Sequence, residues 1–480
     1  MNAFHYEDIK NLACSMPEDI EQRKAAGDLK GAARLIDRWL TRPDLPEVLR
    51  GKLRAERAML EILPHDYPYS FQEVYSLVKK KLPDMTVKEF LDLQDAGRIS
   101  WMFLNGEERF FSDTVDTLLD DPAMKERSCR LLGEPFVRYS PSRMCVQASV
   151  KRMIEKGEDT VRFRIRHSLR IKDEAFRPNE KVRVWLPVPK SCQQIEGSSI
   201  QILTTSDNNY VLAPENAPQR TIMFETSLSE NREFFVEYEY INHSVYHDLW
   251  RDEKNDLRGS ERAAVDPFHH FSKEFYIAYL SEEYPHIRFT PFMRALANEI
   301  TKDSDSPLEK ARDIYLYITT KVRYSYMRSY YGVENLGEYA AVNRKGDCGI
   351  QALMFITLCR ICGIPARWQS GNGVHDKDMG SHDWAQFYVE PYGWLFCDPS
   401  YGGGAWANGD EVRHRFYFGN LDAFRMVAND HFQRQFTPAP VFIRSDPYDN
   451  QSGEAEYPDH ALRGWEFSAK KEVLEHEIKG

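Results

Sequence analysis

Three residues, in chain order, could carry one reaction. They are Cys348 in Lys345-Gly346-Asp347-Cys348-Gly349, His382 in Ser381-His382-Asp383-Trp384, and Asp398 in Cys397-Asp398-Pro399-Ser400. A thiolate, an imidazole and a carboxylate are the parts of a nucleophile, its general base and the group that orients the base. The chemistry they could do together is acyl transfer at an amide carbonyl. Each residue alone has a blander reading. A lone cysteine is usually a small buried hydrophobe, a lone histidine a hydrogen-bonded structural residue, and an aspartate before proline a turn residue. The combination is more informative than its parts.

The elements that must position these side chains are legible from periodicity. Residues 351–362 carry apolar side chains at Ala352, Leu353, Phe355, Ile356, Leu358 and Cys359, a stripe wide enough for a core helix. Gly363 suits a left-handed cap, and Pro365 forbids continuation. Cys348 is therefore expected at or beside a helix N-terminus. Unpaired backbone N–H groups and the helix dipole favour a thiolate there. Gly346 and Gly349 leave room for a substrate backbone, and the Cys348 N–H is placed to donate to an oxyanion. From His382 to Val389 the chain alternates as a strand, with His382, Trp384, Gln386 and Tyr388 on one face. A turn at Pro391-Tyr392-Gly393 leads to a second strand, Trp394-Leu395-Phe396-Cys397. The resulting hairpin brings His382 and Asp398 side by side.

Upstream, Phe292–Ile300 reads as a short helix. Ser306-Pro307-Leu308-Glu309 is a capping box with proline at the first helical position. It opens a helix through Ala311, Ile314, Tyr315 and Ile318. These blocks, followed by Lys345-Gly346-Asp347-Cys348, Gly363-Ile364-Pro365-Ala366-Arg367, His382-Asp383-Trp384 and Gly393-Trp394 leading to Asp398-Pro399-Ser400, resemble the transglutaminase-like superfamily. Its core is a circularly rearranged cousin of the papain fold. The resemblance covers about residues 290–402. It implies Cys348 as nucleophile, His382 as general base and acid, and Asp398 as the orienting carboxylate. Many members carry a glutamate where this chain has Gln386, a departure that alters the charge near the histidine.

The remaining chain changes character twice. Residues 1–135 read mostly helical, with N-cap signals before Val87–Ala96 and an Asn105-Gly106 hairpin turn. Residues 155–250 alternate with period two between turn-rich loops, the pattern of an antiparallel β-sandwich. It is similar to the β domain that often precedes this core in bacterial members. The expected fold class is α+β and multidomain: the helical N-terminal module, the sandwich, a papain-like catalytic core over 285–440, and an extension over 441–480. The end of that extension, 470–480, reads as a frayed tail or short surface helix.

Tyr330, Tyr331, Trp384 and Trp406 are the candidate substrate-binding residues, because aromatic side chains suit a cleft for a peptide or glycan. His375 is a rival base, in the loop that also holds Asp376 and Asp378. Metal binding is not expected: Cys359-x-x-Cys362 has no second pair, and His243, His247, His269 and His270 lack a zincin's glutamate and third ligand. No cofactor is implied. The net charge of −11 argues against broad nucleic-acid or anionic-membrane binding. No run of about 18 apolar residues appears, and the N-terminus has no secretory pattern. Eight scattered cysteines then suit free thiols and a cytoplasmic setting. The expected activity is hydrolysis of peptide or other amide bonds through a thioester, on a protein or peptide substrate, glycopeptides included. Crosslinking at glutamine side chains, and an interaction module with a vestigial triad, are the two alternatives.

Overall fold

Where helical periodicity dominates the sequence the chain packs as helices, and where it alternates the chain pairs as sheets. The computed structural model describes residues 6–250 and 272–479. The chain forms two compact units. The first comprises Met1–Arg138, Glu283–Arg288 and Val322–Asp347; the second comprises Tyr139–Glu282, Phe289–Lys321 and Cys348–Gly480. His269 and His270, like residues 1–5, lie outside the described residues.

The first unit is built from capped helices. Asp28 accepts from the Gly31 N–H at the start of Leu29–Leu40. Ser70 and Glu73 form a reciprocal capping box before Phe71–Lys81, and Thr86 caps Val87–Asp95. Asn105 and Gly106 take φ values of 53° and 91° between strands Trp101–Leu104 and Glu107–Phe110. Left-handed backbone at both central residues is what a tight hairpin twist requires. Val74, Val78, Phe90, Phe110 and Leu118 fill the core. Residues 322–347, which the sequence suggests as part of the catalytic core, cluster with this helical unit. There Arg323–Tyr324 pairs in parallel with Lys345–Gly346.

Among the described residues the second unit holds three sheets. One has the strand order Phe467–Lys479, Glu158–Ile171, Phe234–Val245, Gln201–Thr205. A second runs Glu454–Glu456, Lys181–Pro187, Thr221–Ser227, Tyr210–Leu212. Their inward rows, among them Phe163, Ile165, Val184, Phe224, Phe234 and Tyr238, share one apolar cluster, so the two sheets form a sandwich. The third sheet is antiparallel, in the order Phe418–Gly419, Gly393–Cys397, Met379–Val389, Ala366–Val374, Arg425–Asn429. Its two faces are covered differently. Trp384 joins the sandwich cluster, whereas Phe387 meets Phe355 of the helix Cys348–Ile361 at 5.6 Å between ring centroids. Among the described residues no helix is long and apolar enough to cross a membrane.

The tail corrects an expectation. Residues 470–479 are neither frayed nor helical; they belong to the 13-residue strand Phe467–Lys479, paired along Glu158–Ile171. Phe467 and Val473 are buried, and Arg162 binds Glu475 and Glu477 across the pair, at 3.0 and 3.1 Å. The charge that suggests a solvated tail is the exposed face of an edge strand.

Glu454 is buried and accepts the N–H groups of Ser445 and Asp446, each at 2.8 Å. Burial pushes its carboxyl from the ordinary 4.5 up to about 7. The ionised form is the penalised one, so this residue's favourable contribution is complete below 4.5 and is lost as pH rises through about 7. Glu454→Gln is expected to flatten the fall in the urea midpoint between about pH 5 and 8, a loss on the order of 3 kcal/mol in the native protein. An unchanged fall in the variant would assign it to other groups.

Candidate active site

The helix Cys348–Ile361 begins where the sequence indicates, with Cys348, half-buried, as its first residue. Gly363 ends it with φ 76°. The Gly363 and Ile364 N–H groups close back on the Arg360 and Cys359 carbonyls, the pattern of a glycine cap. Arg360 continues the anchoring by donating to the Ala366, Ser281 and Ala278 carbonyls.

His382 lies on the strand Met379–Val389 with 5% of its surface exposed. Its Nε2 is 2.8 Å from Asp398 Oδ2. Asp398 follows the neighbouring strand Gly393–Cys397, so the hairpin joins the two side chains as expected. The Asp398-Pro399 pair has a second purpose: Asp398 Oδ1 accepts the Tyr401 N–H at 2.8 Å and caps the helix Pro399–Ala407. One oxygen is fixed by the helix start and the other is presented to the imidazole. Gly402 lets that helix approach closely, because a Cβ there would lie 2.0 Å from the Tyr315 hydroxyl.

Several residues complete this corner. Arg425 Nη1 lies 2.9 Å from Asp398 Oδ2, a charge contact off the line of an aligned hydrogen bond. Arg425 Nε and Nη2 reach Asp422 Oδ2 at 3.1 and 2.6 Å, and Tyr417 donates to the same oxygen at 3.2 Å. The Tyr401 ring lies 4.2 Å from the His382 ring and 4.3 Å from the Arg425 guanidinium carbon. Burial pushes the His382 ring below its ordinary value, and Asp398 partly counters this. Burial would raise the Asp398 carboxyl, but His382 and Arg425 outweigh it and hold the group below the usual range.

The thiol makes a different contact. Cys348 Sγ donates to Asp383 Oδ2 at 3.3 Å. Asp383 Oδ1 in turn accepts from Gln451 Nε2 at 2.5 Å, and the same amide nitrogen donates to the His382 carbonyl at 3.2 Å. Neighbouring residues of a strand point to opposite faces. His382 shares the sandwich-facing side with Trp384; Asp383 shares the helix-facing side with Phe387. The helix carrying Cys348 packs on the second side, so the thiol meets the carboxylate next to the histidine. Among the described residues, the hydrogen bond of the His382 ring goes to Asp398.

The other candidates fall into place unevenly. Trp384 is fully buried, and its indole N–H donates to Gln369 Oε1 at 2.7 Å. A side chain so enclosed does not line a cleft, which corrects its expected role; it backs the His382 ring at 5.9 Å. Trp406 is 52% exposed and packs against His414. Tyr330 and Tyr331 belong to the first unit, where Tyr330 donates to Asp347 Oδ1 at 2.6 Å and Tyr331 is buried. His375 Nδ1 lies 2.6 Å from Asp378 Oδ1 in the turn between strands. Gln386 accepts from Arg367 and donates to Gln193. Cys359 is buried, and Cys362 Sγ lies 3.8 Å from the Thr301 hydroxyl. His243 pairs with the Thr160 hydroxyl. Among the described residues no group of three His, Cys, Asp or Glu side chains could hold a metal ion.

Sequence reading missed Asp383, Tyr401, Asp422 and Arg425 as site residues. One signal was available. Asp422 and Arg425 interrupt the otherwise apolar run Leu421–Ala428, and charges inside a buried strand must be paired.

Residues 294–399 match the transglutaminase-like superfamily. That stretch is a transglutaminase-like domain. Similar solved structures include a Cytophaga hutchinsonii protein provisionally named a cysteine protease, at 13% identity over 67% of this chain and 90% of that one, with a TM-score of 0.39. Another is the periplasmic domain of TgpA from Pseudomonas aeruginosa, at 15% identity over 56% of this chain and 96% of that one, with a TM-score of 0.26. No curated protein matches the chain.

Proposed function

We propose that the transglutaminase-like domain of this protein hydrolyses peptide or other amide bonds through a thioester on Cys348. The observation that carries this reading is the buried His382–Asp398 pair, placed one residue from the carboxylate on which the Cys348 thiol rests. With Nε2 committed to Asp398, Nδ1 is the ring nitrogen left to act as base. In this reading the ring takes the proton that the thiol gives up; the sulfur attacks the carbonyl; the imidazolium then protonates the leaving amine. Water, activated by the same ring, releases the acid. The substrate is a protein or peptide, glycopeptide amides included.

Transfer to an amine is a second reading with an observation of its own. A carboxylate 3.3 Å from the sulfur would draw a cationic acceptor to the thioester.

Thiol alkylation tests the nucleophile. Burial pushes Cys145 up to about 11 and Cys192 up to about 12, and it raises Cys359, Cys362 and Cys397 as well, so these thiols are poor competitors at neutral pH. Iodoacetamide is expected to modify Cys348 first, and His382→Ala to slow that reaction at least about tenfold. Slowing by Asp383→Asn alone would make the carboxylate the base. No preference for Cys348 would remove the enzyme reading. Incubation with casein and a labelled amine separates the two outcomes: cleavage without incorporation supports hydrolysis, and incorporation without cleavage replaces it with transfer.

A further inference from the structure

The His382–Asp398 pair ends a line of alternating charge that the proposed chemistry does not by itself require. Arg413 Nη2 donates to the Tyr417 hydroxyl at 3.2 Å, and that hydroxyl donates to Asp422 Oδ2 at 3.2 Å. Arg425 bridges Asp422 to Asp398, and Asp398 meets His382. Asp398, Asp422 and Arg425 are all fully or almost fully buried, at 0% relative exposure. His382, Asp398, Asp422 and Arg425 come from four places in the chain: the strand of His382, the end of its hairpin partner, the loop before the outermost strand, and that strand itself.

A charge count shows why the fourth member matters. Arg425 alone would neutralise the net charge of Asp398 and weaken its field at the imidazole. Asp422 restores it: two carboxylates and one guanidinium leave one net negative charge. A protonated His382 brings the cluster to zero. The other groups facing it are Tyr401 and Tyr417, with Arg143, His375 and Arg413 further out. Arg413 is separated from Asp422 by the Tyr417 hydroxyl and also lies over the Tyr139 ring, whose hydroxyl binds Asp410.

We infer that Asp422 and Arg425 are positioning residues that hold Asp398 against His382 Nε2, and that Asp422 supplies the second buried negative charge that balances the imidazolium. The inference deepens the proposed function, resting on His382 as the base. Arg425 fixes where the Asp398 oxygen points, since its other nitrogens are anchored on Asp422. A fixed, ionised Asp398 keeps the proton of the neutral ring on Nε2 and so leaves Nδ1 as the basic nitrogen.

The test is the titration of the His382 ring, followed by NMR in full-length protein carrying labelled histidine, with the resonance assigned through His382→Gln. Asp422→Asn removes a negative charge and is expected to lower the midpoint by about one pH unit. Arg425→Met removes a positive charge and is expected to raise it by about as much. The double variant restores the net charge and is expected to return within about 0.3 unit of the native value. Loosened packing would move both single variants the same way, so shifts of one sign, or none for Asp422→Asn, overturn the inference. Should Arg425→Met not fold, Asp422→Asn and the double variant decide alone. The ring titrates whether or not Cys348 reacts, so this result is independent of the alkylation experiment.

Discussion

Asp398→Asn is expected to cut hydrolysis of fluorescein-labelled casein by roughly 10²- to 10⁴-fold while leaving the domain folded. The two halves of this expectation come from the two oxygens of one carboxylate. Oδ1 caps the helix Pro399–Ala407 through the Tyr401 N–H, and asparagine caps helices about as well as aspartate. Oδ2 receives the His382 Nε2. An asparagine amide presented there no longer forces the ring to donate from Nε2. If the amide nitrogen faces the ring, the proton moves to Nδ1 and the base is lost. If the amide oxygen faces it, the tautomer survives but the charge that stabilises the imidazolium is gone. Asp398→Ala adds the loss of the cap, about 1 kcal/mol. Measuring casein cleavage and thermal unfolding on the same samples separates the two roles. Activity within threefold of the native protein would remove Asp398 from the mechanism.

The second large effect is on stability. Ending the chain after Trp465 removes the strand Phe467–Lys479 and with it the whole ladder to Glu158–Ile171. The neighbouring strand becomes an open edge, the Arg162 ion pairs to Glu475 and Glu477 are lost, and Phe467 and Val473 leave the apolar cluster. A dozen or so ladder bonds with two buried apolar side chains suggest a loss of at least about 5 kcal/mol. For a unit of this size the melting temperature should fall by about 8 °C or more. A fall under about 2 °C would return these residues to the status of a solvated tail.

That strand also shows where local reading stops. Phe467 to Lys479 scatters Phe467, Ala469, Val473, Leu474 and Ile478 among charges without strict alternation, and nothing within it says whether a partner strand lies alongside. The partner, Glu158–Ile171, is some three hundred residues earlier and carries the matching arginines. By contrast, the Cys348 helix was legible at both ends, because its apolar stripe, the Gly363 cap and Pro365 are all local signals. So was the Ser306–Glu309 capping box, whose bonds form within four residues.

The candidate site divides the same way. The sequence by itself determined that Cys348 starts a helix, that His382 lies on an alternating strand, and that a hairpin returns Asp398 to it, since each follows from periodicity, capping and turn chemistry within a few residues. Only the tertiary structure decided which side of that strand each helix and sheet covers. That choice set the thiol on Asp383 rather than on the ring, enclosed Trp384 in the sandwich core, and brought Arg425, anchored on Asp422, onto Asp398 from an outer strand. The physical reason is that a pleat offers two faces by strict alternation, whereas the layer that covers each face is fixed by burial of apolar surface and pairing of buried charge between segments far apart in the chain.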